Sequence, residues 1–473
     1  MHLWDCEFQG CRRPALQGLG NCLLCDRHLC RHHLKAEWHK CPDPDLDWNT
    51  YSTQYASAEA RRLASLAGQI NVPKLLERAS LLRGGIQCRT VLSPKALSAM
   101  MGGQNCHAII TFNDGVEWIV RFRLEQVISP PPEMRDYILR SEAATLLFLQ
   151  THCSGIPSPK IYDWTCQSNP GNEIGVGYIM MQKMEGRPLQ WNGATHDQRE
   201  KVLGQLVDIY LELEKHPFSS LGSLFPEPGQ QDGHGLQLGP FATPTYFSSK
   251  TGKSLGPFQK PQQELVAVNE AIGSMIATGE FGTMDPADNY LMHLCRAELS
   301  KKLWINPQNG TTQSHEKFYL KHPDDKGDHI LVNHESDIVG VIDWEWARTV
   351  SKEDAFSSPC MMWPVGAFYG GSNELAEDEV KFARMYEDRG RPDLARCVRE
   401  GRKIQRLAFA TDNLNGGERD AIGLFGGLGR HSIRAMTWIG RRGRKRLSRG
   451  TRTIKSFRVC LPSRSTSTIR ANS

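Results

Sequence analysis

Between Lys317 and Ala347, two apolar runs, His329–Val332 and Ile338–Ile342, lie on either side of a short polar stretch, and the pattern predicts a β-hairpin. A second hairpin is predicted where His107–Phe112 and Val116–Phe122 flank the turn residues Asn113, Asp114 and Gly115. Tyr178–Met184 reads as a buried strand running into Glu185 and Gly186. Apolar residues at helical spacing predict helices at Thr53–Gln69, Pro73–Leu82, Asp197–Lys215, Glu264–Gly279, Asp288–Leu303, Glu374–Glu387 and Leu394–Phe409. A further apolar helix is expected to open at Glu142. Pro217–Gln259 is rich in Gly, Pro, Ser and Phe and reads as a long irregular loop, of the kind that shapes an acceptor pocket. Residues 430–473 lack apolar periodicity and read as a disordered tail.

Composition changes this picture in two places. The chain has 473 residues, enough for two or three domains, and no run of eighteen apolar residues that would span a membrane. Its start, MHLWDCEFQGC, lacks an apolar leader core. The formal net charge is +5, yet thirteen Lys or Arg and no Asp or Glu fall from Arg430 onward. Subtracting those thirteen leaves −8 for the rest, so the basic character belongs to the tail and is poor evidence for nucleic-acid binding by the body. RRGRKR at Arg441–Arg446 could be a nuclear signal or a nucleic-acid tether. The expected location is cytoplasmic, with the nucleus as the alternative that this signal would bring.

Six of the fourteen cysteines precede residue 42 and alternate with histidines, which is metal spacing in a reducing compartment. Cys6, Cys11, Cys22, Cys25, Cys30, His33, His39 and Cys41 supply eight N/S ligands, enough for two tetrahedral zinc sites. So short a segment has little apolar area of its own, and metal would supply the missing stability. His28 and His32 are spare. The spacing resembles small cross-brace zinc fingers of stress-associated and ubiquitin-linked proteins. That resemblance implies alternate pairing: Cys6, Cys11, Cys30 and His33 on one zinc, and Cys22, Cys25, His39 and Cys41 on the other. Such modules are mostly structural or bind a protein partner.

The Lys317–Ala347 hairpin carries acid at both ends: His322-Pro-Asp324 precedes it and Asp343-Trp-Glu345 follows it. Phosphoryl transfer needs two such groups, one to accept the proton of the attacking hydroxyl and one to hold magnesium against the nucleotide phosphates. H-x-D, a strand, a turn, a strand and then I-D-W-E resembles the aminoglycoside phosphotransferase and choline kinase branch of the protein-kinase-like fold. The resemblance covers roughly Leu81 to Phe425, and includes Gly155-Ile-Pro-Ser-Pro and Asp354-Ala-Phe-Ser-Ser-Pro.

The fold this implies is α+β and bilobal, with a small β-rich lobe and a large helical lobe behind a zinc-binding module. Expected bounds are 1–45 for the finger, 46–85 for a helical linker, 86–186 for the nucleotide lobe, 187–429 for the catalytic lobe and 430–473 for the tail. By the same resemblance Asp324 is the catalytic aspartate, with His322 fixing its loop, and Asp343 is the metal aspartate. His329 stands where the family has a metal-binding Asn, and Asp328 beside it is the alternative oxygen donor. Arg121 in WIVRFR takes the place of the phosphate-contacting lysine, with Arg123 two along, and Glu142 is its partner. Gly102, Gly103 and Asn105 would approach phosphate, and Gln182 to Glu185, including Met184, would be the adenine hinge. The function implied is ATP-dependent transfer to a small-molecule hydroxyl, with magnesium or manganese as cofactor. The alternative is a weakly catalytic pseudokinase adaptor whose finger recruits a protein.

Overall fold

The chain is described by a computed structural model over residues 2–41, 47–229, 235–248, 252–281, 289–290, 293–294, 297–298, 316–412 and 427. The tail, the turn at 42–46 and most of the expected Asp288–Leu303 helix lie outside the described residues. Among the described residues, no helix is long and apolar enough to cross a membrane.

The N-terminal module holds only a two-residue hairpin, β1 (Asn21–Cys22) with β2 (Arg27–His28). Helix α1 (Trp48–Gln69) starts where the Asp47 carboxylate accepts from the backbone N–H of Asn49 and Thr50, two donors with no partner inside the helix. Together with α2 (Val72–Leu82) it buries Leu63, Leu66, Leu75 and Ala79 against a five-stranded antiparallel sheet. That sheet has the order β3 (Cys88–Thr90), β4 (Asn105–Phe112), β5 (Glu117–Arg123), β7 (Tyr178–Gln182) and β6 (Ile161–Thr165). A short helix, α3 (Pro94–Ala99), lies between β3 and β4. Strand period decides what is buried: Cys106, Ala108, Ile110 and Phe112 face the core on β4. The Asn113-Asp-Gly turn joins β4 to β5 as expected, and Gly115 takes the left-handed φ of +84° that this turn demands.

Helix α4 (Pro132–His152) lies against this sheet. It begins ten residues before Glu142, which therefore sits mid-helix rather than at its start. Pro132 at the first turn sets that start, because its missing N–H would have had no partner there.

After β8 (Arg187–Pro188) comes the large lobe, which opens with α5 (His196–Glu214), capped by Thr195 and Gln198 in a reciprocal box. The described residues of Pro217–Gln259 carry short strands where a wholly irregular loop was expected. They form two small antiparallel pairs, β9 (Ser223–Pro226) with β10 (Leu236–Gly239), and β11 (Phe247–Ser248) with β12 (Lys253–Ser254). Leu221, Phe241 and Tyr246 from this stretch pack with Val268, Ile272 and Met275 of α6 (Pro261–Thr278), so aromatic burial orders what composition alone suggested was loose.

The expected hairpin forms as β14 (Ile330–Val332) and β15 (Ile338–Val341), flanked by β13 (Phe318–Lys321) paired with β16 (Arg348–Ser351). Strand β14 also pairs with β8, so the segment leaving the small lobe is stitched directly to the hairpin. Gly186, just before β8, has φ +101°, and a Cβ there would lie 2.6 Å from Val339 Cγ2.

Helices Glu377–Asp388, Pro392–Glu400 and Arg402–Asp412 close the large lobe. The expected single helix from Leu394 to Phe409 breaks at Gly401, where a Cβ would lie 2.4 Å from the Cys397 carbonyl oxygen. Across that break, Glu379 is fully buried and accepts from Arg402 Nη2 at 2.7 Å and from Ser358 Oγ at 2.6 Å. Removing one partner of a buried pair strands the other charge. Glu379→Ala should therefore lower unfolding stability by about 3–5 kcal/mol, read from urea denaturation.

Candidate functional site

Strand period places Arg121 and Arg123 on one face of β5, and the register sets Asn105 of β4 opposite Arg123. Above them, α4 contributes Glu142. From the large lobe, the loop after β15 turns sharply: Asp343 and Trp346 both adopt left-handed φ values, +63° and +65°. Non-glycine residues pay for that conformation, and the loop uses it to separate its side chains. Trp344 is buried, with its indole N–H donating to the Val341 carbonyl at 2.9 Å. Glu345 points inward and Asp343 stays 57% exposed.

The result is a chain of charges across the lobes. One terminal nitrogen of Arg121 donates to Glu142 and, at 3.3 Å, to Asp343 Oδ1; the other donates to Glu345. Arg123 donates to the second oxygen of Glu345 and, at 3.0 Å, to Gln104 Oε1. Asn105 Nδ2 donates to Glu345 at 2.7 Å. A planar fork can serve several carboxylates at once where a lysine ammonium offers a single point charge. Burial raises the pKa of Glu345, but Arg121, Arg123 and the Asn105 amide outweigh it and hold that carboxyl below its ordinary value. Burial pushes Glu142 up, to about 8, with Glu345 and Asp343 adding to the rise and Arg121 opposing it.

At the same open end of the hairpin, where β14 begins and β15 ends, His322 ties two loops together. Its Nε2–H donates to the Ile342 carbonyl at 2.9 Å, next to Asp343, and its Nδ1 accepts from the backbone N–H of Asp324 at 3.1 Å. Burial lowers the His322 pKa, which suits a ring with one donor and one acceptor nitrogen. The Asp324 carboxylate is partly exposed and lies 3.1 Å from Lys326 Nζ. His329 stacks on His322 with ring centroids 4.2 Å apart; it is buried, its pKa is pushed down to about 2, and its Nδ1 has no hydrogen-bond partner. Asp328 is exposed, 3.8 Å from Lys326 Nζ.

Several expected contacts stand elsewhere than on a nucleotide. Asn105 spends its amide on Glu345, and Arg121 has both terminal nitrogens engaged. Gly102 and Gly103 are exposed in the turn before β4; the Gly102 N–H donates to the Asn105 carbonyl, and the Gly103 carbonyl accepts from Gln126. Gln182 ends β7 and pairs by its backbone with Lys160, and Met184 is half-buried. Glu345 carries more of the geometry than the sequence reading gave it. Its signal was there: two arginines spaced two apart on one strand need more acid than Glu142 alone.

Among the described residues, the groups of three or more Cys, His, Asp or Glu whose ligand atoms all lie within 4.8 Å are two: Cys6, Cys11, Cys30, His33 and Cys22, Cys25, His39, Cys41. These are the two alternating sets the cross-brace resemblance implied. His33 approaches through Nδ1, 3.4 Å from Cys6 Sγ, and His39 through Nε2, 3.5 Å from Cys25 Sγ. Two thiolates on one tetrahedral zinc sit a little under 4 Å apart, so thiol and imidazole groups this close fit zinc in both type and spacing. His28 is used otherwise, stacked on Trp4 and hydrogen-bonded to Asn21; His32 packs against Trp38. Asp343, His329 and Asp328 do not form a converging group of this kind.

No family model and no curated protein matches the chain. Among solved structures it is similar to the GDP complex of wild-type aminoglycoside 2'-phosphotransferase-IIIa, at 14% identity and a TM-score of 0.40, over 78% of this chain and 98% of that one. It is also similar to the streptomycin–ATP–APH(2")-IIa ternary complex, at 9% identity and TM-score 0.41, over 75% and 95%. A third is the macrolide 2'-phosphotransferase MphH from Brachybacterium faecium, apoenzyme, at 17% identity and TM-score 0.35, over 74% and 97%.

Burial separates the two acids of the D-x-E loop. Glu345→Ala should cost about 3–5 kcal/mol in urea unfolding, because it takes from Arg123 its carboxylate partner and from buried Arg121 one of three. Asp343→Ala should cost under about 1 kcal/mol, because Asp343 is itself largely exposed and buried Arg121 keeps Glu142 and Glu345 as partners.

Proposed function

We propose that the chain is an ATP-dependent phosphotransferase whose acceptor is a hydroxyl of a small molecule. The observation that carries this reading is the meeting of Glu142, Arg121 and Asp343, drawn from a helix, a strand and the loop after β15 onto one point between the lobes. Asp324, which precedes β14 at the same open end of that hairpin, orients the acceptor and takes its proton. His322 holds both ends in register through its two ring nitrogens. Around Arg121 and Arg123 stand Glu142, Glu345 and Asp343, and Asp343 is the exposed member that would hold a divalent cation. Such a cation supplies neutralisation of charge developing on the phosphoryl oxygens. Arg121 places Asp343 and would reach phosphate only by releasing it.

A second reading, a pseudokinase adaptor that recruits a protein through the finger, is favoured by the engagement of both Arg121 terminal nitrogens by buried carboxylates. Thermal shift with ATP and a divalent cation separates the two: stabilisation supports the enzyme, and none supports the adaptor. In a screen of ATP consumption against hydroxylated metabolites, Asp324→Asn should abolish turnover while keeping the thermal shift. Asp343→Asn should lose the shift. Equal, mild effects from both changes would refute these roles.

The neutral, unpartnered His329 Nδ1 suits a softer cation than magnesium. Manganese should therefore support more turnover than magnesium, and His329→Asn should reverse the order. A wild type that works best in magnesium and loses activity only on Asp328→Ala would give the role to Asp328.

For the N-terminal module we propose two zinc ions per chain. Elemental analysis should return two for the wild type and one each for Cys6→Ser and Cys22→Ser, from different clusters.

A further inference from the structure

The N-terminal module lies against the catalytic body at several points. The Gln17 N–H donates to the Glu280 carbonyl at 2.8 Å, and Arg62 of α1 donates to the Leu23 carbonyl at 2.7 Å and to Asp26 at 2.9 Å. A different contact reaches the candidate site. Leu3 and Trp4 share one apolar cluster with Met134 and Ile138 of α4, with Phe247, and with Trp346. Leu3 is 7% exposed, Met134 7% and Ile138 2%.

Two members of that cluster are neighbours of the ion chain. Ile138 and Glu142 are four residues apart on α4 and so lie on the same face of the helix. Trp346 directly follows Glu345 in the loop that carries Asp343, and it holds a left-handed φ that only surrounding packing can maintain. The Leu3–Trp4 edge is itself set by the first metal cluster. Cys6 lies two residues beyond Trp4, the Cys6 N–H donates to the Arg13 carbonyl, and the Ala15 N–H donates to the Trp4 carbonyl, both at 2.9 Å. Trp4 is further braced by stacking on His28 at 4.9 Å.

We propose that Leu3 and Trp4 are positioning residues for the nucleotide site. They wedge α4 and the Asp343 loop into the arrangement in which Glu142, Arg121 and Glu345 meet, so metal loading of the Cys6 cluster sets nucleotide affinity. The affinity half of this inference rests on the function proposed above; the packing half does not.

The test uses the full chain as wild type, Trp4→Ala, Trp4→Phe and Cys11→Ser. Amide hydrogen exchange without nucleotide reads residues 134–142 and 343–347 directly. Both segments should exchange faster in Trp4→Ala and in Cys11→Ser, with β4 and β7 unchanged, and Trp4→Phe should restore protection. The dissociation constant for ATP with manganese or magnesium should rise about tenfold in Trp4→Ala and Cys11→Ser and return toward wild type in Trp4→Phe. Unchanged exchange in both segments in Trp4→Ala overturns the proposal, as does an effect of Cys11→Ser that Trp4→Ala does not share. A wild type that binds no nucleotide, yet shows the exchange response, refutes the phosphotransferase reading and leaves the wedge standing.

Discussion

Glu345 is a buried carboxylate that neither lobe can satisfy by itself. Its oxygens accept from Arg121 and Arg123 of β5 and from Asn105 of β4, while its backbone belongs to the loop after β15. Charge withdrawn from water must be paired, because uncompensated burial costs several kcal/mol per ion. Taken apart, the small lobe would hold two guanidinium groups against Glu142 alone, and the large lobe would present a bare acid. Joined, they lock the strand bearing Arg121 to the loop bearing Asp343. The lobes are thus held by this charge chain together with one apolar cluster that runs from α4, β6 and β7 into the hairpin and α5.

The interaction also explains why one member of the loop is free. Left-handed backbone at Asp343 and Trp346 sends successive side chains in different directions. Trp344 anchors in the core and Glu345 in the arginine cage, which leaves Asp343 facing solvent with only a 3.3 Å contact to Arg121. The firmly held neighbours fix its place in the loop, and Arg121 reaches only its Oδ1.

What was legible in the sequence was local. Both hairpins followed from apolar runs around turn residues, and the eight N-terminal ligands followed from spacing, because partners within some thirty residues leave a pattern. Glu345 and Arg121 are separated by 224 positions, and nothing periodic marks their meeting. The docking of Leu3 on α4 was hidden for the same reason. Helix α4 starts ten residues before the expected Glu142 because Pro132, the last of three successive prolines, opens a helix. Pro217–Gln259 was misread because its strands are two to four residues long, and their order comes from aromatic contacts with α6 rather than from alternation.

The seam between β8 and β14 has a mechanical meaning. Gly186 passes so close to Val339 that no side chain fits, and the next two residues pair with Val332 and Leu331. The strap joining the lobes is therefore clipped to the same hairpin whose two ends carry Asp324 and Asp343. Sliding one lobe over the other would shear two ladder pairs, whereas rotation about the clip leaves them intact.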